Sequence, residues 1–330
     1  MYGTTRGGGV YSKGSIFSIT SDGAFTTLYS FSGSDGSDPR TSLTFGDNGN
    51  LYGTTGAGGG AGMGTVFVLS GTTLQTLHSF TGTPDGATPG TALAWRYGYL
   101  YGSTFSGGGT WNNGTIFKIS AGGDYQAVYS FLEYDTVSKP WGDFTLANGI
   151  LYGCGVQGVG EDAGGIIRID GSDQYAVEDI AGHHSGLEEP NGGLLYLSGT
   201  FYGTSAAGNR GSGLDGSVFA HRSVFLDPDI LLHLYGYDGI LPDSSNGDYP
   251  HYLYDSPAGE NPHAGLVDAT NGDLLGSNYL GGANGVGTLF RMDLMLTSIL
   301  VGPPLQEDFC YGDFFSFGGS YGSSPVAPMV

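Results

Sequence analysis

A chain of 330 residues with 64 Gly and 14 Pro approaches the composition of disordered segments, but 22 Tyr and 18 Phe supply apolar surface that such segments lack. The net charge of −21, from 31 acidic against 10 basic residues, excludes nucleic acid as a partner, because no basic stripe exists to displace phosphate counterions. The same acid excess keeps a protein soluble and suits cation binding.

The chain begins with a strand-like segment, Tyr2–Thr5, that follows Met1 with no charged or apolar leader region. That leaves a cytosolic chain or one whose leader has been removed. The Gly/Thr/Ser/Tyr-rich, lysine-poor composition favours the second, and with it an extracellular or cell-surface location. No run approaches the ~18 apolar residues of a membrane span.

The opening phrase then recurs. An aromatic-glycine pair stands at Tyr2-Gly3, Tyr52-Gly53, Tyr101-Gly102, Tyr152-Gly153 and Tyr202-Gly203, at intervals of 50, 49, 51 and 50 residues. A sixth pair, Leu275-Gly276, follows after 74, so one repeat carries an insertion. Within a repeat, four strand signals succeed one another. In the best-written copy they are "TALAW" (91–95), "YLYGST" (99–104), "GTIFKIS" (114–120) and "YQAVYSF" (125–131). Four antiparallel strands every ~50 residues, without helical periodicity, predict the blades of an all-β propeller in one domain over 1–330. A lone four-stranded meander cannot cover both its faces, whereas neighbouring blades cover one another.

First strands begin near Ser42, Ala92, Asp143, Gly193 and Gly265, so the opening repeat lacks one. "YGDFFSFGGSYGSS" (311–324) lines up with "WGDFTLANGILYGCG" (141–155), which predicts that the C-terminal segment supplies the missing strand. That arrangement closes six blades; seven remain open if residues precede Met1. The pattern L-Y-G-T-T…G-G-G…G-T-V-F-x-L…L-x-S-F-x-G-x-D-G-x-x-P, carried by "LYSFSGSDGSDP" (28–39) and "LHSFTGTPDGATP" (77–89), resembles the GloVer tandem repeat. The resemblance implies a propeller of secreted or surface-anchored bacterial proteins, and no particular reaction.

Several residue sets are candidates for function. The glycine loops between second and third strands, such as "GAGGGAGMG" (56–64), lack the Lys-Ser/Thr and following helix of a phosphate cradle and read as positive-φ turns. The repeated tyrosines and Phe17, Phe67, Phe117 and Phe219 read as packing between blades. The inter-repeat loops carry acids, and Asp35, Asp38, Asp85 and Asp135 are candidate Ca²⁺ ligands, although Asp-Gly before Pro also suits an Asx turn. No cofactor is required by any motif. Cys154 and Cys310 form no metal-binding spacing, and their pairing is open.

The insertion at 237–263 is expected on the ligand face. It concentrates Asp248, Tyr249, His251, Tyr252, Tyr254 and Asp255, beside His183 and His184 of the preceding loop. Aromatic faces with carboxylates suit sugar rings. These features predict a non-catalytic surface module for a glycan or an extracellular protein. The alternatives are a polysaccharide hydrolase or lyase using histidine and acids on that face, and a self-associating structural protein.

Overall fold

The computed structural model describes residues 1–157, 164–180, 188–207, 214–221, 229–235, 265–269, 273–278, 288–293 and 311–316. Every regular element among them is a strand, and the strands form six small antiparallel sheets. The chain divides into two compact units, Met1–Val159 with Ile166–Val177, and Gly160–Gly165 with Glu178–Val330.

The first unit holds four sheets in chain order. Sheet 1 has three strands, Tyr2–Thr5, Ser15–Ile19 and Phe25–Ser30. Sheet 2 comprises Thr44–Phe45, Leu51–Thr55, Thr65–Ser70 and Thr73–Ser79. In sheet 3 a broken first strand, Ala87–Pro89 and Ala94–Arg96, pairs with Tyr99–Ser106, followed by Thr115–Ser120 and Tyr125–Ser130. Sheet 4 runs Ser138–Ala147, Ile150–Gln157, Gly165–Ile169 and Tyr175–Ile180. The second unit holds two more. Sheet 5 contains Glu188–Pro190 and Leu195–Leu197 on Thr200–Ala207, then Leu214–His221 and Asp229–Tyr235. Sheet 6 contains Val267–Asp268, Asp273–Asn278, Thr288–Asp293 and Tyr311–Ser316.

The repeated aromatic-glycine pair has a packing explanation. In sheets 1, 2, 3, 5 and 6 the glycine lies under the third-strand phenylalanine, and a β-carbon there would overlap the ring of Phe17, Phe67, Phe117, Phe219 or Phe290. Sheet 4 inverts the arrangement. Its third strand has Ile167, and Phe144 of the first strand lies on Gly153 instead. The preceding tyrosine faces the neighbouring sheet: Tyr52 lies 5.9 Å from Trp95, and Tyr2 lies 5.6 Å from Phe45. Tyr52, Leu93, Leu100 and Phe117 share one apolar cluster, and Tyr101, Phe144, Leu151 and Ile167 share the next. In the second unit Val218, Leu266, Leu274 and Phe290 form a cluster of their own. The expected role of these rings in packing is what the geometry displays.

A bulge recurs where the fourth strand meets the third. Pairing slips between Ile16 and Phe17, Val66 and Phe67, Ile116 and Phe117, Val218 and Phe219, and Leu289 and Phe290. One residue is thereby passed over on the fourth strand, which breaks its two-residue alternation and increases its twist. In sheets 1 to 3 the skipped residue is Leu28, Leu77 or Val128, and all three pack against the core.

The C-terminal strand corrects the expected closure. Tyr311–Ser316 pairs with Thr288–Asp293 as the fourth strand of sheet 6, with Leu289 opposite Phe315 and Phe290 opposite Asp313. The pairing predicted from 141–155 therefore used the wrong repeat position. "FFSFGG" corresponds instead to "LYSFSG" (28–33), the fourth-strand signal, and the bulge confirms it: Ile16 opposes Tyr29 and Phe17 opposes Thr27 in the same register.

Candidate functional site

In the first unit the inter-repeat and glycine loops lie together, and their geometry shows what the acids do. The Asp35 carboxylate accepts hydrogen bonds from Tyr29 Oη at 2.5 Å, Ser32 N at 2.8 Å and Ser32 Oγ at 2.9 Å. Asp85 lies 2.9 Å from His78 Nε2 and accepts from Thr81 Oγ1 at 2.6 Å. Asp135 accepts from Leu132 N at 2.6 Å and Tyr129 Oη at 3.0 Å. Each closes its own loop as an Asx turn. Burial pushes the Asp35 carboxyl pKa up, but the donors around it outweigh burial and hold it below the usual value; Asp85 follows the same pattern. Tyr29 and Tyr129 are pushed up to about 12, by burial first and then by their carboxylate partners.

These loops also join one sheet to the next. Thr65 Oγ1 of sheet 2 donates to the Asp35 backbone carbonyl at 3.2 Å, and Tyr125 Oη of sheet 3 donates to that of Asp85 at 2.7 Å. Gly36, at φ +133°, lies against the hydrogen-bonded pair Thr55 and Thr65, where a β-carbon would come within 2.6 Å of the Thr55 side chain. Asp38 is committed to Arg6 at 2.8 Å and to Arg40. Among the described residues no group of three or more His, Cys, Asp or Glu side chains converges as a metal site. Asp35, Asp38, Asp85 and Asp135 thus serve separate loops.

The glycine loops are positive-φ turns, with Gly58, Gly59, Gly62 and Gly64 at +79°, +78°, +77° and +100°. Their tips and the adjoining inter-repeat loop leave large rings in solvent: Tyr11 is 59% exposed, Trp111 49% and Tyr134 77%. His183, His184, Asp248, Tyr249, His251, Tyr252, Tyr254, Asp255 and Cys310 lie outside the described residues. Cys154 is buried, and burial pushes its thiol up to about 12, so it is a packed side chain and no nucleophile.

One ionisable residue departs from the repeat without a packing reason. In the first unit each sheet is tied to the next by hydrogen bonds near the start of the next sheet's first strand. Thr4 Oγ1 donates to the Thr41 carbonyl at 3.1 Å, and Thr54 Oγ1 to that of Thr91 at 3.4 Å. Between sheets 3 and 4 the link is Asp143, whose Oδ1 accepts from Ala92 N at 2.6 Å. The matching positions in the other repeats are Ser42, Ala92, Gly193 and Gly265. A serine or asparagine would accept the same bond without charge, so the link does not require a carboxylate. Asp143 is half-buried, and burial raises its pKa against the single opposing hydrogen bond. A displaced carboxylate of this kind is a candidate functional group. The residue was visible in the sequence as the only acid at that repeat position.

Two cations of the unit share one carboxylate. Arg96, with its side chain 1% exposed, and Lys118 both bind Asp173, at 2.7 and 2.5 Å, and Tyr101 Oη donates to the same carboxylate at 2.7 Å. This cluster joins sheet 3 to the turn between Gly165–Ile169 and Tyr175–Ile180 of sheet 4.

The pattern of the Gloeobacter/Verrucomicrobia repeat matches residues 1–219. The chain belongs to that family. No curated protein matches this repeat chain in sequence. Among solved structures it is similar to two candidate 6-phosphogluconolactonases. One, from Bacteroides uniformis ATCC 8492, has a TM-score of 0.55 at 15% identity; the other, from Bacteroides fragilis NCTC 9343, has 0.53 at 14%. Each alignment covers 88% of this chain and 77% of the other. At such identity the likeness speaks for fold, and these neighbours are propeller-like. It also corrects the expectation of a non-catalytic binding module, because the chains sharing the architecture are named as enzymes. No helix among the described residues is long and apolar enough to cross a membrane.

Proposed function

We propose that this repeat protein is a carbohydrate-active hydrolase working outside the cell, with Asp143 as its general base. The observation that carries the reading is the half-buried Asp143 carboxyl, raised in pKa and placed where other repeats have small neutral residues. A carboxylate shifted toward neutrality is a better base than an ordinary aspartate, because its proton affinity approaches that needed at working pH.

The chemistry around it narrows the bond. Glycoside hydrolysis uses two carboxylates about 5–9.5 Å apart, and the repeat positions that match Asp143 hold no second carboxylate. A single base is enough to draw a proton from water attacking an ester or lactone carbonyl. The names of the two structural neighbours, candidate 6-phosphogluconolactonases, favour the same class of bond. A phosphorylated sugar suits this chain less well: it has 10 basic residues, and Arg6, Arg40, Arg96 and Lys118 are already paired with aspartates. The substrate class is therefore an unphosphorylated sugar lactone or saccharide ester, with the exposed rings of Tyr11, Trp111 and Tyr134 available for stacking on pyranose faces.

Acid release from aldonolactones, O-acylated glycans and plain polysaccharides, followed at constant pH, tests the reading. The wild type should hydrolyse a member of the first two groups, with the rate rising as pH passes upward through the Asp143 pKa. Asp143→Asn should abolish that limb. Equal rates in the variant, or no turnover across the panel, would overturn the assignment.

A further inference from the structure

Three alternate residues of the first strand of sheet 4 reach back toward sheet 3. Asp143 accepts from Ala92 N, Trp141 lies on Gly90, and Lys139 Nζ stands 5.4 Å from the Phe105 ring centroid. A β-carbon at Gly90 would come within 2.7 Å of the indole, and Phe105 stands nearly perpendicular to that indole at 5.2 Å. Carboxyl, indole and ammonium therefore share one seam, all of it inside the first unit.

The corresponding residues of the earlier junctions show what is unusual here. Between sheets 1 and 2 the positions of Phe105, Lys139 and Trp141 hold Arg6, Asp38 and Arg40, and the acid binds both cations. Between sheets 2 and 3 they hold Gly56, Thr88 and Gly90, without charge. The backbone fixes this correspondence. Asp38 N, Thr88 N and Lys139 N donate to the carbonyls of Lys13, Met63 and Asn113, each just before a loop glycine, and all three take φ between +50° and +57°. Sheet 4 thus replaces an acid with a lysine and sets rings beside it. Among the described residues Lys139 forms no ion pair. The Trp141 indole N–H likewise has no acceptor among them, whereas that of Trp95 donates to Asp47 at 2.7 Å. Both side chains are half-buried. An ammonium resting on a ring keeps its donors for an anion.

We infer that Lys139 and Trp141 bind the substrate of the Asp143 site, and that this substrate carries a carboxylate, as a uronic or aldaric sugar does. The inference rests on the hydrolase reading above for the position of the reacting bond. Lys139 takes the substrate carboxylate, and Trp141 offers its neutral N–H to a sugar oxygen. Four residues of chain span at most about 14 Å, which leaves the carboxylate on the reacting sugar unit or the one beside it. One ammonium matches one carboxylate, whereas a phosphate monoester brings a charge of about −1.5 to −2. The chain's net charge of −21 acts at long range and is screened beyond about 8 Å at physiological ionic strength, so the contact with Lys139 decides recognition.

Calorimetric titration of the full chain with galacturonate and with galactose, which differ at C6 alone, tests recognition apart from turnover. Galacturonate should bind tighter by about tenfold or more, the scale of one charge-assisted hydrogen bond. Lys139→Met, which keeps the aliphatic stem, should bring the two affinities together, and Lys139→Arg should retain the difference. Trp141→Leu should weaken both sugars alike. Equal affinities in the wild type, or a preference that survives Lys139→Met, would overturn the inference, and unchanged affinities in Trp141→Leu would overturn the indole's part in it. Should the methionine variant not fold, Lys139→Thr carries the test, since Thr88 holds that position in sheet 3. Turnover separates the two readings. Hydrolysis of neutral esters without galacturonate preference keeps the hydrolase and removes this inference. Preference through Lys139 without turnover of any ester or lactone keeps the binding residues and removes the hydrolase.

Discussion

Sheets 3 and 4 are neighbours built on one repeat, and they differ in two ways. Sheet 3 has Leu93 and Phe117 around its glycine, while sheet 4 has Phe144 and Ile167, so bulk moves from the third strand to the first and the core remains filled. Next to this exchange, Ala92 in sheet 3 becomes Asp143 in sheet 4, and nothing compensates: a charge is half-buried with one hydrogen bond. A departure answered by a reciprocal change belongs to packing. The one left unanswered is the residue on which the proposed hydrolase reading rests.

The largest expected effect breaks the comparison at Asp143. Asp143→Asn should lower the rate of hydrolysis by about 10²- to 10⁴-fold, the usual contribution of a general base, as steady-state kinetics on the responsive ester or lactone would measure. The same variant should melt above the wild type at neutral pH. The folded pKa of Asp143 is raised, so its contribution to stability is full below the unfolded pKa and is lost as pH rises through the folded value. The advantage of asparagine must therefore vanish in acid; if it persists, ionisation is not its source.

Phe117→Ala should cost about 3–5 kcal/mol, the usual loss for a buried phenylalanine, measured by denaturant unfolding; its ring is 0% exposed. The exchange in sheet 4 gives a finer test. Phe144→Leu should leave a cavity and Ile167→Phe should overpack, while the pair together rebuilds the sheet 3 arrangement. A double-mutant cycle should return a favourable coupling of about 0.5–3 kcal/mol, and additivity would deny the exchange. The smallest effect is at the loop carboxylates. Asp85→Asn should cost about 1–3 kcal/mol near neutrality, since hydrogen bonds to a partly buried charged acceptor are lost. Because the folded pKa of Asp85 is lowered, wild type and variant should converge as pH falls through that value.

Much of the architecture was legible because glycine, phenylalanine and the loop aspartates recur at fixed offsets, and each offset corresponds to one contact. The strands around Leu100, Ile116 and Val128 lie where alternation and turn residues place them. The end of the chain was misread because Tyr311-Gly312 imitates the start of another strand; the decisive similarity, "FFSFGG" to "LYSFSG", lies in residues common to a different repeat position. The site was harder to see. Acid-rich loops attract attention, yet Asp35 and Asp85 spend their oxygens on their own turns. Asp143 stands alone among small residues, and its significance emerges only when five repeats are compared at one position.

The seating of Asp35 on Thr65, and of Asp85 on Thr115, has a direction: at both junctions the earlier block presents an acceptor forward and the later one a hydroxyl donor backward. Blocks that keep this threonine can therefore follow one another without new complementarity having to arise. A coding segment of about fifty codons, copied in tandem, would bring its own adhesive on both sides. Growth by duplication is thus open to this protein in a way it is not to folds whose parts fit at only one address.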